Sequence, residues 1–208
     1  FKADRYKKIT RGGNIQQVLD GIAVASKLHF KKIKLNIVLI KGQNDDEVLD
    51  FLHYTKDHDV NARFIEFMPI GNSLKTWQKE YVGLKNVFDT CKDNGLAYHP
   101  IVLRGNGPSD NYQIEGYEGS FGLIHPISSK FCENCNRLRI TADGYVKACL
   151  YWNEEIDSRS AIGDPVAFRK LIQKALDNKP LNHEMAMSET DRIIDKAPTW
   201  RHMSQIGG

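Results

Sequence analysis

The chain has 208 residues, 41% hydrophobic and 26% charged, with a net charge of +3 when its seven histidines are counted neutral. That is length for one large domain or a domain and a half, with the composition of a soluble globular protein. It excludes a membrane span, since no run approaches ~20 apolar residues, and a charge this mild does not argue for nucleic acid.

In chain order, Asn14 to Leu28 reads as a helix: Ile15, Val18, Leu19, Ile22, Val24 and Ala25 make its stripe, and Gly12-Gly13 punctuate its start. Lys32 to Ile40 reads as a β-branched, apolar strand. Lys41 to Asn44 is a turn, with Asn44 the expected N-cap of a helix from Asp45 to about Asp57. Asn61 to Phe67 is a second strand, ended by the loop Met68-Pro69-Ile70-Gly71-Asn72. Val82 to Asn94 is a third helix, and a strand follows near Leu96 to Leu103. This alternation is the rhythm of a parallel sheet. Its strands are expected to be buried on both faces, with chemistry at their C-terminal ends.

After Arg104-Gly105-Asn106-Gly107-Pro108 the texture changes. Tyr112 to Ile114 and Gly119 to Ile124 read as short antiparallel strands about Gly116. Arg137 to Ala142 and Tyr145 to Leu150 read as a hairpin about Asp143-Gly144, a strong turn signal. A last helix runs from about Asp164 to Asp177, and a polar tail follows from Asn178. The two expected regions are residues 1–103 and 104–208.

The sharpest motif is Phe131-Cys132-Glu133-Asn134-Cys135-Asn136-Arg137-Leu138-Arg139, closed by Cys149. The spacing C-x2-C-x13-C can turn three thiolates toward one metal centre, which suits the reducing cytoplasm better than a disulfide scaffold does. Spacing alone leans toward zinc, with His125 or Cys91 as a fourth ligand. The competing reading is an iron–sulfur cluster with one iron open to substrate. Arg137 and Arg139 alternate on the expected strand and so share a face, suited to an anion. Lys34 and Asn36 interrupt an apolar strand. Either they face a polar cavity or Lys34 snorkels to solvent. Arg63 and Glu66 read as a salt bridge, or Arg63 faces the cavity of Lys34. Met68, at a strand end, is core filler or packs on a flat ligand. Gly207-Gly208 reads as a loose tail.

Taken together, these stretches resemble the GTP 3',8-cyclases of molybdenum-cofactor biosynthesis, members of the radical SAM superfamily. The resemblance rests on Cys132-x-x-Cys135-Asn136-Arg137-Leu138-Arg139, Thr141-Ala142-Asp143-Gly144 and Cys149-Leu150. Lys34-Leu35-Asn36-Ile37-Val38, Lys41-Gly42-x-Asn44-Asp45, Arg63 to Asn72, Gly119 to Ile124 and Gly207-Gly208 extend it over nearly the whole chain. It implies an α/β fold: the C-terminal part of an incomplete (βα)6 radical-SAM barrel, then an α+β C-terminal cluster-binding region. It implies that Cys132, Cys135 and Cys149 hold a [4Fe-4S] cluster whose open iron takes GTP. Lys34, Arg63, Arg137, Leu138 and Arg139 would bind GTP, Met68 would line the S-adenosylmethionine pocket, and Gly207-Gly208 would reach the active site. Asn36 is a further cavity-facing residue. A homodimer is implied, with product passing to cyclic pyranopterin monophosphate synthase. The family also carries a second, N-terminal [4Fe-4S] cluster held by C-x3-C-x2-C, a motif not found in these residues. The expectation is therefore a C-terminal portion that supplies the substrate-binding half and is inactive alone. The reading from another class is a non-catalytic, zinc-stabilised binding module.

Overall fold

The computed structural model describes residues 1–28, 30–103, 105, 107–129, 132–179 and 198–206. The elements are α1 (Ala3–Ile9), α2 (Ile15–Lys27), β1 (Ile33–Leu39), α3 (Val48–Tyr54), β2 (Val60–Glu66), α4 (Trp77–Glu80) and α5 (Lys85–Asp93). There follow β3 (Tyr98–Ile101), β4 (Asp110–Ile114), β5 (Ser120–Ile124), β6 (Arg139–Ile140), β7 (Tyr145–Lys147), β8 (Ile156–Asp157) and α6 (Pro165–Asp177). They fall into two compact units, one of residues 1–67 and 79–126, the other of 68–78 and 127–208.

The first unit is built on a five-stranded sheet of order β1-β2-β5-β4-β3. β1, β2 and β5 run parallel, while β4 and β3 return antiparallel. The stretch near Leu96 to Leu103 is thus an antiparallel edge rather than the next parallel strand. Its Pro100 suits an edge, where a missing N–H breaks no ladder. Residues 104–126, placed with the C-terminal region on sequence, supply β4 and β5 to this sheet.

Strand periodicity sorts the side chains onto two unlike faces. Leu35, Ile37 and Leu39 of β1, Ala62 and Phe64 of β2, and Phe121 and Leu123 of β5 join one apolar core. Val48 and Leu52 of α3 and Val87 and Cys91 of α5 pack into it. The opposite face carries Lys34, Asn36, Asn61, Arg63, Ser120, Gly122 and Asn111, aligned by the register across β1, β2, β5 and β4. The expectation of strands buried on both faces therefore holds for β2 and β5 and fails for β1, whose Lys34 and Asn36 are exposed.

Asn44 is not an N-cap. Its Oδ1 accepts from Ile40 N at 2.8 Å and its Nδ2 donates to Val38 O at 2.9 Å, which closes the turn after β1. The helix starts later, at Val48, with Glu47 in the cap position. Asn14, read as the first residue of a helix, is instead the N-cap of α2: its Oδ1 accepts from Gln16 N at 2.9 Å.

The second unit holds the antiparallel sheet β6-β7-β8, helix α6 and the segment 198–206. The β6–β7 turn lies at Asp143-Gly144, where Gly144 adopts φ +86°, a conformation that favours glycine. Asp164 caps α6, accepting from Val166 N at 2.9 Å and Ala167 N at 3.0 Å. Buried Val146, Tyr151, Trp152, Ala175 and Ile206 form its interior.

Candidate functional site

Two groups of residues carry chemistry, one in each unit. In the first, the polar face of the sheet opens into a cavity of about 40 Å³ lined by Lys34, Asn61, Arg63, Gly105, Ser109 and Asn111, among others. Lys34 and Asn36 are both exposed on β1, and Arg63 is half-buried on β2 beside Asn36. Lys34 and Arg63 thus share one cavity. Burial pushes the Arg63 guanidinium down from its ordinary value, and its Nε finds no hydrogen-bond partner among the described residues. Arg63 and Glu66 lie three apart on a strand and so face opposite ways. Glu66 is instead buried and accepts from Tyr81 Oη at 2.8 Å.

In the second unit, Cys132 opens a single 3-10 turn, Cys132–Asn134, and Cys135 N donates to Cys132 O at 3.1 Å. Cys149 follows β7, and all three cysteines are half-buried and in no disulfide. Burial alone would raise the Cys135 thiol. The Arg137 amide and guanidinium, with charge from Arg137 and Lys179, outweigh it and hold the thiol below its ordinary value. Burial and the neighbouring Arg137 push the Arg139 guanidinium down, against the pull of Cys135 and Cys149. Arg137, Arg139, Cys135 and Cys149 therefore lie within electrostatic reach of one another. Strand β6 begins only at Arg139, so Arg137 lies before the strand and not on one face with it. Arg137 O accepts from Lys179 Nζ at 2.6 Å, and Arg139 donates to Ile206 O at 3.2 Å. Leu138 between them is half-buried.

Among the described residues, no three His, Cys, Asp or Glu side chains converge closely enough for a single metal ion. Cys91 belongs to the apolar core of the first unit, where burial pushes its thiol up to about 11. His125 Nδ1 lies 3.9 Å from Glu66 Oε1. Cys132, Cys135 and Cys149 are thiol donors of the soft kind that iron–sulfur clusters take. Met68 is half-buried, and its carbonyl accepts from Ser73 Oγ at 2.9 Å. Gly207 and Gly208 lie outside the described residues.

Sequence reasoning missed a buried ionic network beside the cysteine hairpin. Lys147, fully buried, donates to Trp152 O at 2.7 Å and Glu155 Oε1 at 3.2 Å. Arg201 forks onto Glu155 at 2.6 and 2.7 Å and reaches Asp143 at 2.9 Å. The only sequence signal was Lys147 at an inward hairpin position. It also missed Asn61, whose polar side chain is wholly buried on β2.

Comparison with known proteins gives the family. The model described as Molybdenum Cofactor Synthesis C matches residues 60–185, and that of the radical SAM superfamily matches residues 2–55. A GTP 3',8-cyclase of Limosilactobacillus fermentum is 80% identical over all of this chain and 63% of its own length. One of Listeria monocytogenes is 58% identical over 99% of this chain and 62% of its own. One of Clostridium botulinum is 34% identical over all of this chain and 62% of its own. The chain thus spans less than two thirds of the length of these relatives. With the C-family model covering more than half of it, this chain belongs to the Molybdenum Cofactor Synthesis C family.

Proposed function

We propose that this chain supplies the substrate-binding part of a GTP 3',8-cyclase, which converts GTP to 3',8-cyclo-7,8-dihydro-GTP in the first step of molybdenum-cofactor biosynthesis. The observation that carries the reading is the gathering of Arg137 and Arg139 about Cys135 and Cys149. Cys132, Cys135 and Cys149 would hold a [4Fe-4S] cluster, which when bound supplies an iron with a vacant position for the purine. Arg137 and Arg139 clamp the nucleotide with charge-assisted hydrogen bonds, and Leu138 packs beside it. Lys34 and Arg63 take the phosphates, with Asn36 at the same face, and Met68 lines the S-adenosylmethionine pocket. The parallel strands β1-β2-β5, with their polar face, support the partial barrel. Gly207-Gly208 reaching the reacting centre, a homodimer, a cytoplasmic location and hand-over to cyclic pyranopterin monophosphate synthase belong to the same proposal.

These residues position GTP and exclude water. Orientation of this kind is worth about 7–11 kcal/mol in well-aligned systems. On the same proposal these 208 residues are inactive alone, since the C-x3-C-x2-C motif that the resemblance assigns to the radical-generating cluster is not among them. The test measures iron and GTP affinity together on anaerobically reconstituted protein. Arg137→Ala keeps its iron and loses roughly tenfold to a hundredfold in GTP affinity. Unchanged affinity contradicts the assignment.

A further inference from the structure

The polar face of the first unit holds more unmet hydrogen-bonding capacity than Lys34 and Arg63 alone explain. Asn61 is 0% exposed, and its side-chain oxygen has no partner among the described residues. Its nitrogen reaches Ser120 Oγ at 3.0 Å. Two residues along β2, Arg63 Nε is buried and equally without a partner. Both side chains line the cavity with Lys34. Leaving such groups unmade is costly, and native interiors rarely do so without a reason.

The far wall is shaped by a missing side chain. Gly122 stands in register between Arg63 and Asn111. A Cβ there would press into Ser109 Oγ and lie 2.8 Å from Asn111 Oδ1 and 3.2 Å from Arg63 Cγ. Ser109 and Asn111 are tied to each other: Ser109 Oγ donates to Asn111 Oδ1 at 3.1 Å, and Asn111 Nδ2 donates to Ser109 O at 2.7 Å. They wall the cavity and leave its occupant to Lys34, Arg63 and Asn61. No carboxylate lines it among the described residues, and about 40 Å³ admits an oxygen-sized group rather than a base.

We propose that Asn61, together with Arg63 Nε, is a specificity-determining residue that grips one oxygen of the ligand's phosphate chain, and that Gly122 keeps the space for it open. The Ser120 hydroxyl both donates and accepts. Because Ser120 can serve either atom of the Asn61 amide, an anion in the cavity is met by the flipped amide, its NH2 toward the anion and its oxygen accepting from Ser120 in place of the Nδ2 contact seen here. The cavity then presents Lys34 Nζ, Arg63 Nε and Asn61 Nδ2 to the same anion. This inference rests on the reading of Lys34 and Arg63 as phosphate contacts, and adds the side chains that select a phosphate oxygen at this point.

The experiment titrates the full 208-residue chain calorimetrically with inorganic triphosphate and with GTP. Asn61→Asp places a carboxylate beside Arg63 Nε. Because a carboxylate at this buried position also costs stability, affinity is measured below the variant's thermal midpoint: the folded variant is expected to bind triphosphate roughly tenfold or more weakly, whereas a purely structural Asn61 would lower the midpoint and leave the folded variant's affinity unchanged. Gly122→Ala is expected to weaken it similarly; should that variant not fold, Asn61→Asp carries the test. Triphosphate binding to Asn61→Asp as tight as to the parent, or no binding to the parent, overturns the proposal. Lys34→Ala separates the two levels. If it weakens GTP and Asn61→Asp does not, only the present inference falls. If Lys34→Ala and Arg63→Ala both leave GTP affinity intact, the phosphate assignment falls with it.

Discussion

Cys91 and Cys135 show how one residue type takes opposite characters from its surroundings. Cys91 sits among Val87, Leu52 and Phe121, and burial alone raises its thiol to about 11. Cys135 is also partly buried, yet donors from Arg137 favour its thiolate. Alkylation of the metal-free native chain at about pH 8 is expected to modify Cys132, Cys135 and Cys149 and spare Cys91, read by mass spectrometry. Modification of Cys91 before unfolding would contradict the core assignment. Glu155 is poised between burial, which raises it, and hydrogen bonds from Arg201 and Lys147, which win and hold it below its ordinary value. A carboxyl lowered on folding adds stability above its unfolded value, near 4.3, and loses it as pH falls through the folded one. Glu155→Gln is therefore expected to flatten the acid limb of a stability profile. Lys147 is lowered by burial, so its linkage lies at the alkaline end and leaves that limb alone. Glu155→Ala would strand the buried Lys147 ammonium with the Trp152 carbonyl, at about 3–5 kcal/mol by denaturant titration. A loss below about 1 kcal/mol would mean the network is not formed in solution.

Elements governed by local chemistry were legible, and those governed by distant pairing were not. β1 spans Ile33–Leu39 against a reading of Lys32 to Ile40, and α6 begins at Pro165, one residue after the start read at Asp164, which caps it. Local capping makes a local prediction: Asp164→Ala is expected to cost about 1 kcal/mol of stability of the second unit. Thermal unfolding with no change in midpoint would contradict it. Asn44 misled because Asn serves turns as well as caps, and only the carbonyl of Val38 and the amide of Ile40 decide between them. The order β1-β2-β5-β4-β3 was out of reach, since β2 pairs with a strand more than fifty residues later. The polar face was half visible. Lys34 and Arg63 stood out by charge, but Asn61 and Gly122 acquire meaning only when the register sets them beside those cations.

The chain as a whole places two cations with a buried asparagine in one unit, and thiols with two arginines in the other. The cysteine motif was readable because its residues are close in sequence. The network beside it was not, since Arg201 meets Glu155 from 46 residues away. The metal remained ambiguous on spacing. The family match favours the cluster over the zinc module. The most direct test reconstitutes the chain anaerobically and follows the magnetic spectrum of the reduced cluster during titration with GTP carrying an isotopically labelled guanine ring. The account predicts iron and sulfide in equal amounts, lost in Cys149→Ser, and a hyperfine coupling from the labelled ring that appears as GTP binds. A colourless protein holding zinc without sulfide, or a cluster whose spectrum ignores GTP, would contradict it.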